Sequence, residues 1–208
     1  MPEGATYFYP NRLARYLLTA TADVMGRTGL NLLLDSVNLD HYAIDLPADD
    51  LKREFSFESM APFHIALEDS YGTRGGRGMA LRIGRAAFSL GFKHFGVLAG
   101  MSHPAFRVLP LGERTRLGLD GLAHIFNHFS DQATQIEDAG DSFRVIVKPS
   151  PMAWGRTSDK PVCHSLAGII QECMRWSSNG REFAVVEVAC QACGADACVF
   201  SVNKAPLA

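Results

Sequence analysis

The first 162 residues of this 208-residue chain contain no cysteine. All five cysteines come later, at positions 163, 173, 190, 193 and 198. Such clustering excludes a disulfide-stapled scaffold, whose bridges would be distributed along the chain. The sequence also lacks the basic and apolar stretches of a signal peptide, and it has no run of about 18 apolar residues. We therefore expect a reducing, cytoplasmic setting, in which clustered thiols bind metal more often than they form disulfides.

An excess of charge of one sign is absent too, because 20 basic residues face 22 acidic ones. This balance provides no global attraction for nucleic acid or for an anionic membrane surface. The glycines of residues 72–78 are not followed by Gly-Lys-Ser/Thr, and no Gly-x-Gly-x-x-Gly joins a strand to a helix, so they indicate a hinge. The sequence shows no nucleophile paired with a base and no recognisable carboxylate pair.

The pattern of apolar residues predicts one α+β domain over residues 1–208. Up to about residue 130 the spacing is helical, beginning with a stripe from Leu13 to Val24 that stops at Gly26. Short extended segments follow at 134–137, 143–148, 183–188 and 198–202, with a helix over 162–176 between the second and third. The sequence therefore predicts helices first, then an antiparallel meander sheet with one inserted helix.

The helix predicted from Met79 to Phe95 is unusual because it is apolar on two nearly opposite sides. Ile83 lies on one side, and Phe88 and Phe92 lie on the other. A helix of this kind packs on the core and also against a second partner. That partner is another helix, another subunit or a bound apolar ligand.

Potential metal ligands are most concentrated between Glu187 and Cys198, where three cysteines fall within nine residues. Thiolates are soft ligands that hold Zn²⁺ tetrahedrally, and a carboxylate can supply a further bond. The Cys190-x-x-Cys193 pair could also be a redox motif, but such motifs normally connect a strand to a helix. Here residues 194–196 indicate a turn between two strands, which favours metal binding.

Three passages, residues 72–85, 161–168 and 187–200, resemble the 4-vinyl-reductase domain family, also called hydrocarbon-binding. The resemblance covers most of the chain beyond residue 70 and divides it into a helical part, 1–70, and a ligand-binding core, 71–208. It implies a fold like that of trafficking-complex subunits, which pair through helices, and hence a homodimer. It also links the chain to accessory proteins of bacteriochlorophyll synthesis and to phenol-type sensor domains.

The resemblance further implies a zinc site formed by Cys163, Glu187, Cys190 and Cys198. Its role would be structural, since four protein ligands leave no open position for water or substrate. On a regular strand Glu187 and Cys190 face opposite sides, so the site requires a bend or bulge around Ala189. Two alternatives stay open: His164 could replace Glu187, and Cys193 could serve as an alternative ligand.

The ligand classes implied by the resemblance are tetrapyrroles and aromatic hydrocarbons, held in an apolar cavity between helices and sheet. The candidate walls are aromatic side chains on two helices: Phe88, Phe92, Phe95, Phe126 and Phe129. Arg82 or Arg85 could pair with a carboxylate on the ligand. Trp154 lies in the loop before the predicted zinc helix and could close over the cavity.

We therefore expect a small-molecule-binding protein with a carrier, sensor or accessory role. The absence of an ATPase or DNA-binding part favours a carrier or accessory role over a transcription activator. The first alternative is a reductase that acts on a tetrapyrrole vinyl group. Its electron donor would be external, because the sequence shows no place to bind a source of hydride or electrons. The second is a structural assembly subunit without a ligand.

Overall fold

The computed structural model describes residues 6–98 and 104–208. The elements within these ranges are, in chain order, β1 (Phe8–Pro10), α1 (Asn11–Ser36), α2 (His41–Ile44), β2 (Arg53–Ser56), α3 (Phe57–Leu98), α4 (Leu111–Phe129), β3 (Ala133–Asp138), β4 (Ser142–Lys148), α5 (His164–Ser177), β5 (Phe183–Ala189) and β6 (Cys198–Pro206). Two short 3₁₀ helices cover Pro104–Val108 and Gln191–Cys193. None of the helices in the described ranges is long and apolar enough to cross a lipid bilayer.

The predicted α+β architecture is confirmed. Strands β3, β4, β6 and β5 form an antiparallel sheet in that spatial order, so the sheet is not the predicted meander: β6 pairs with both β4 and β5, and α5 is inserted between β4 and β5 in the chain. The inward side chains of β4 and β6 alternate with outward ones, as expected for a sheet covered by helices on one face. Phe143, Val145 and Phe200 are among the inward residues, and each is buried.

Single glycines divide the two longest helices. Gly26 has φ = 80° and interrupts α1, which confirms the predicted end of the first helical stripe. Gly72 has φ = 69° and interrupts α3. Both φ values lie in the left-handed region, which glycine adopts without steric cost. The hinge expected over residues 72–78 is thus a single residue, and residues 73–78 already belong to the second half of α3.

A two-stranded sheet near the start of the chain was not predicted from the sequence. Strands β1 and β2 pair antiparallel, with Phe8 opposite Ser56 and Tyr9 opposite Phe55. Asp131 fixes this sheet to the end of α4, because its carboxylate accepts a hydrogen bond from the Phe8 N–H at 2.8 Å and pairs with Arg53 at 2.6 Å. Strands of three and four residues are too short to show a recognisable alternation.

The second half of α3 crosses α5 at a very short distance. A Cβ atom at Gly84 would overlap the carbonyl oxygen of Ser165, and one at Gly168 would overlap the carbonyl oxygen of Leu81. Two glycines, one on each helix, therefore allow the two backbones to touch.

The second apolar side of α3 is covered within the same chain. Phe92 packs on Trp176 of α5, and Phe95 contacts Tyr16 of α1. The two-sided pattern is thus explained by neighbouring helices and does not itself require a second subunit.

A buried hydrogen-bond chain links the first half of α3 to the start of α5. His64 is 2% exposed, its Nδ1 lies 2.9 Å from the Met60 carbonyl oxygen, and its Nε2 lies 2.6 Å from Ser165 Oγ. Burial lowers the pKa of His64 from 6.5 to about 4, and the positive charge of Arg156 acts in the same direction. A neutral imidazole is therefore part of the folded core.

We expect Gly84→Ala to lower the free energy of unfolding by at least about 2 kcal/mol, because the added methyl group forces α3 and α5 apart. Gly78→Ala is the matched control, since it changes a helical glycine of α3 whose Cβ would meet no atom within 4 Å. That control should stabilise the protein by about 0.5–1 kcal/mol. Urea unfolding followed by circular dichroism measures both, and equal effects of the two substitutions would contradict the close contact.

We also expect the protein to lose stability as the pH is lowered, because of His64. The unfolded chain protonates this residue below pH 6.5, whereas the folded protein keeps it neutral down to about pH 4. Its contribution is therefore complete above pH 6.5 and is lost as the pH falls from 6.5 to 4. Between pH 7.5 and 5.0 the loss should be about 2 kcal/mol. Urea unfolding at both pH values, compared with His64→Asn, measures it; an identical pH dependence in the variant would refute the assignment.

Candidate metal site and apolar cavity

Four potential metal ligands converge where α5 meets β5 and β6. Cys163 immediately precedes α5, Glu187 lies in β5, Cys190 follows β5, and Cys198 begins β6. One ligand atom from each residue lies within 4.8 Å of the others. The three cysteines are buried and the glutamate is half-buried. The arrangement could hold a metal ion, and it contains the four residues that the resemblance implied.

The bulge that this site requires is present. Glu187 pairs with Phe200 and Ala189 with Val199, so the register between β5 and β6 shifts between Glu187 and Ala189. One extra residue in β5 reverses the alternation of its side chains. Glu187 and Cys190 can therefore face the same point, which confirms the expectation made from their spacing.

The thiols of the cluster are close enough to interact directly. Cys163 Sγ lies 3.4 Å from Cys198 Sγ, which lies 3.9 Å from Cys190 Sγ. The Cys163 backbone N–H donates to Glu187 Oε2 at 2.9 Å, and Ser150 Oγ lies 3.2 Å from Cys163 Sγ. These contacts orient the cysteine sulfurs and the carboxylate toward one another.

The electrostatics of the cluster favour a cation at its centre. Hydrogen bonds from the thiols of Cys163 and Cys198 hold the pKa of Cys190 far below its usual range. Burial raises the pKa of Cys163, and burial together with the charge of Cys190 raises the pKa of Glu187 to about 7. Glu187 Oε1 is buried and has no hydrogen-bond partner in the described part of the chain. A bound divalent ion would supply a partner for this oxygen and stabilise the deprotonated thiols.

The other candidate ligands lie outside this cluster. Cys193 is exposed on the 3₁₀ turn after Cys190. Cys173, which was not a candidate, is buried in the core on α5. His164, the first residue of α5, is half-buried and does not belong to the cluster. The geometry therefore favours Glu187 over His164 as the fourth ligand.

An apolar cavity of about 70 Å³ lies between α1, α3, α4 and α5. Its walls are almost entirely hydrocarbon, and the lining side chains belong to Tyr9, Leu13, Tyr16, Leu17, Met60, Ala87, Phe88, Phe92, Phe95, Leu122, Ile125, Phe126, Met152 and Ile169. Four of the five phenylalanines predicted as walls are in this set. The fifth, Phe129, lies behind Phe95, with 5.1 Å between the ring centroids.

Two tyrosines line the cavity, and sequence reasoning missed both. The Tyr9 hydroxyl makes a buried hydrogen bond with Gln132 Oε1, and burial raises the pKa of Tyr9 above its ordinary value of 10.0. The Tyr16 hydroxyl lies 2.6 Å from His94 Nδ1. Tyr16 belongs to the apolar stripe of the first predicted helix, so its face was recognisable from the sequence although its role in the cavity was not.

The structure does not bring the two predicted arginines to the cavity. Arg82 is exposed, and Arg85 pairs with Glu172 at 2.9 Å and with Glu182 at 2.7 Å. These partners lie on α5 and just before β5, so the Arg85 guanidinium joins helix and sheet instead of facing a ligand. Trp154 is also absent from the cavity and lines a separate pocket nearer to the cysteines.

The complete fold is similar to that of H-NOX proteins. The Fe(II) unliganded H-NOX protein from K. algicida has a TM-score of 0.59 and 13% identity, over 96% of this chain and 97% of that chain. An H-NOX structure that addresses heme distortion has a TM-score of 0.55 and 12% identity, with the same coverage of both chains. At such low identity the likeness concerns the fold.

The C-terminal part of the chain matches a family model. Residues 143–204, from β4 through β6, match the 4-vinyl-reductase domain, which confirms the resemblance for the segment that contains all four metal-ligand candidates. The phenol-responsive sensory domain of the transcription activator PoxR, solved with phenol, is 16% identical over 73% of this chain and 77% of that chain, with a TM-score of 0.49. No curated protein matches the chain.

We expect the purified protein to contain one divalent ion per chain and Cys198→Ser to lose most of it, because the substitution removes a ligand from the centre of the cluster. Cys193→Ser is the matched control and should keep full metal content, since Cys193 is exposed outside the cluster. Loss of the ion should lower Tm by on the order of 10 °C. Inductively coupled plasma mass spectrometry and thermal unfolding test this. Equal metal content in the two variants would exclude the site.

Proposed function

We propose that this protein binds a hydrophobic small molecule in the apolar cavity between its helices. The observation that carries the proposal is the composition of the cavity wall, where side chains from four helices, from β1 and from the loop before α5 form an almost entirely hydrocarbon surface. Binding sites for small molecules typically combine such walls with a few polar groups that fix orientation. The Tyr9 and Tyr16 hydroxyls would have this orienting role.

The size of the cavity favours an aromatic hydrocarbon over a tetrapyrrole. An apolar protein cavity of about 150 Å³ holds benzene, and the present cavity of about 70 Å³ is smaller. A single aromatic ring would therefore require lining side chains such as Phe88, Phe92 or Leu122 to move. A tetrapyrrole macrocycle is several times larger and would require the surrounding helices to separate.

The H-NOX structures give the tetrapyrrole its support as a second ligand class. One of these structures is an Fe(II) protein and another concerns heme distortion. Because heme is a tetrapyrrole, the fold is compatible with a tetrapyrrole ligand in those proteins. A cavity of about 70 Å³ does not fit a heme macrocycle in the conformation described here. Heme chemistry is therefore not part of the proposed function.

The metal in the cysteine cluster is proposed to be zinc with a structural role. Three thiols and one carboxylate are a ligand set that zinc accepts, and Glu187 Oε1 has no other partner among the described residues. Four protein ligands would leave no position for a substrate. The ion would join the start of α5 to β5 and β6, and α5 supplies Ile169 to the cavity wall. Metal binding would thus support the cavity without entering it.

We expect toluene to bind with one site per chain and Ala87→Phe to weaken its binding at least tenfold, because the added ring fills the cavity. Leu122→Ala should enlarge the cavity and improve binding of a larger aromatic such as naphthalene. Ala48→Phe is the control, since Ala48 is exposed in the loop before β2. Isothermal titration calorimetry and ligand-observed nuclear magnetic resonance provide the readouts.

Experiments on the same purified protein distinguish a carrier from a reductase and from a structural assembly subunit. Incubation with protoporphyrin IX and a reductant, followed by mass spectrometry, detects conversion of a vinyl group to an ethyl group, and turnover would favour the reductase. If neither toluene nor protoporphyrin IX binds, the proposed function is wrong and an assembly role is favoured. Analytical ultracentrifugation tests the proposed homodimer independently of both results.

A further inference from the structure

A second pocket, which we call the Trp154 pocket, lies beside the cysteine cluster and has a volume of about 520 Å³. Its main lining residues are Tyr7, Lys148, Trp154, Arg156, Gln191 and Asp196. None of its lining residues contributes to the apolar cavity. The two sites are therefore separate, and the volume of the Trp154 pocket lies within the range of small-molecule sites.

The pocket presents two aromatic rings. Tyr7 and Trp154 are both half-buried, and their rings meet edge to face with 5.0 Å between centroids. Within the described part of the chain, neither the Tyr7 hydroxyl nor the Trp154 indole N–H has a hydrogen-bond partner. The pocket thus combines a surface suited to a planar ring with two free polar groups.

Arg156 supplies a buried donor that the folded chain leaves unused. Its side chain is 8% exposed, and its Nη2 pairs with the Glu68 carboxylate at 3.2 and 3.4 Å. Its Nη1 is buried and finds no acceptor in the described residues. Leaving a buried guanidinium donor without an acceptor costs free energy. A ligand oxygen atom that accepted this hydrogen bond would remove that cost.

The charges at the rim are compatible with an anionic ligand. Lys148 is exposed at the end of β4 and forms no ion pair with any described residue. Asp196 is exposed on the turn before β6 and is the acidic residue of the pocket wall. Lys148 offsets the charge of Asp196 and Glu68 offsets that of Arg156, so a ligand carboxylate would be held by a hydrogen bond from Arg156 Nη1 and not by a net positive charge.

Gln191 makes the far wall rigid. Its backbone N–H donates to Cys198 Sγ at 3.3 Å, and its side-chain Oε1 accepts from the Ser150 N–H at 2.7 Å. Its Nε2 donates to the Asp196 carbonyl oxygen at 3.2 Å. The wall is therefore preformed and attached directly to the metal-ligand cluster, which reduces the entropy that a ligand would lose in ordering it.

We propose that the Trp154 pocket binds a small aromatic carboxylate, with its ring against Trp154 and Tyr7 and its carboxylate on Arg156. This site is additional to the apolar cavity and does not depend on the function proposed for it. The Arg156 guanidinium is suited to the anionic group of the ligand, and the rings of Trp154 and Tyr7 are suited to its planar aromatic part.

The test compares 2-naphthoate with its neutral analogue 2-naphthamide by isothermal titration calorimetry at pH 7.5. The carboxylate should bind with one site per chain and at least tenfold more tightly than the amide. Arg156→Gln together with Glu68→Gln should weaken naphthoate binding at least tenfold. This pair of substitutions removes the buried guanidinium without leaving the Glu68 carboxylate unpaired, so the fold should persist.

Two further measurements distinguish the Trp154 pocket from other binding sites. Trp154→Leu should also weaken naphthoate binding, whereas Arg181→Gln should not, because Arg181 is an exposed arginine outside the pocket. Saturating toluene should leave naphthoate binding unchanged, and displacement by toluene would locate the ring in the apolar cavity instead. Equal affinity for acid and amide, or full binding by the Arg156 and Glu68 double variant, would overturn the proposal.

Discussion

The contact between α3 and α5 at Gly84 and Gly168 is the constraint on which both sites depend. Because neither glycine has a side chain, the two backbones touch, and this contact sets the distance between α3 and α5. Helix α5 then contributes Ile169 to the apolar cavity, and the residue before it, Cys163, to the cysteine cluster. A shift of α5 would therefore have two effects at once: it would change the cavity wall, and it would separate Cys163 from the other residues of the cysteine cluster.

The two sites and the Trp154 pocket are arranged around the loop between β4 and α5. Met152 of this loop faces the apolar cavity, Trp154 faces the second pocket, and Ser150 contacts Cys163. Hydrogen bonds from Ser150 to Gln191 and to the sulfur of Cys163 hold the loop against the sheet. One connection therefore borders three chemically different environments.

Much of the fold could be predicted from the sequence because it depends on local spacing, whereas the four candidate metal ligands came from the resemblance to the 4-vinyl-reductase domain family. The strands and α5 have clear periodicity, and the opposite parity of Glu187 and Cys190 required the bulge that is observed. The cavity was predicted less well, since its walls depend on how helices rotate and cross. Arg82 is exposed and Arg85 pairs with Glu172 and Glu182, and residue periodicity does not encode such pairing between distant segments.

The separation of the ligands along the chain has a consequence for the order of assembly. Cys163 and Cys198 are 35 residues apart, so the cluster closes a short loop within one continuous segment. The cavity wall instead extends from Tyr9 to Ile169 and requires nearly the whole domain. Contacts between near neighbours in sequence form first because their loops lose less entropy. We therefore expect the metal-ligand segment to become ordered early and to act as the surface on which the helices complete the cavity.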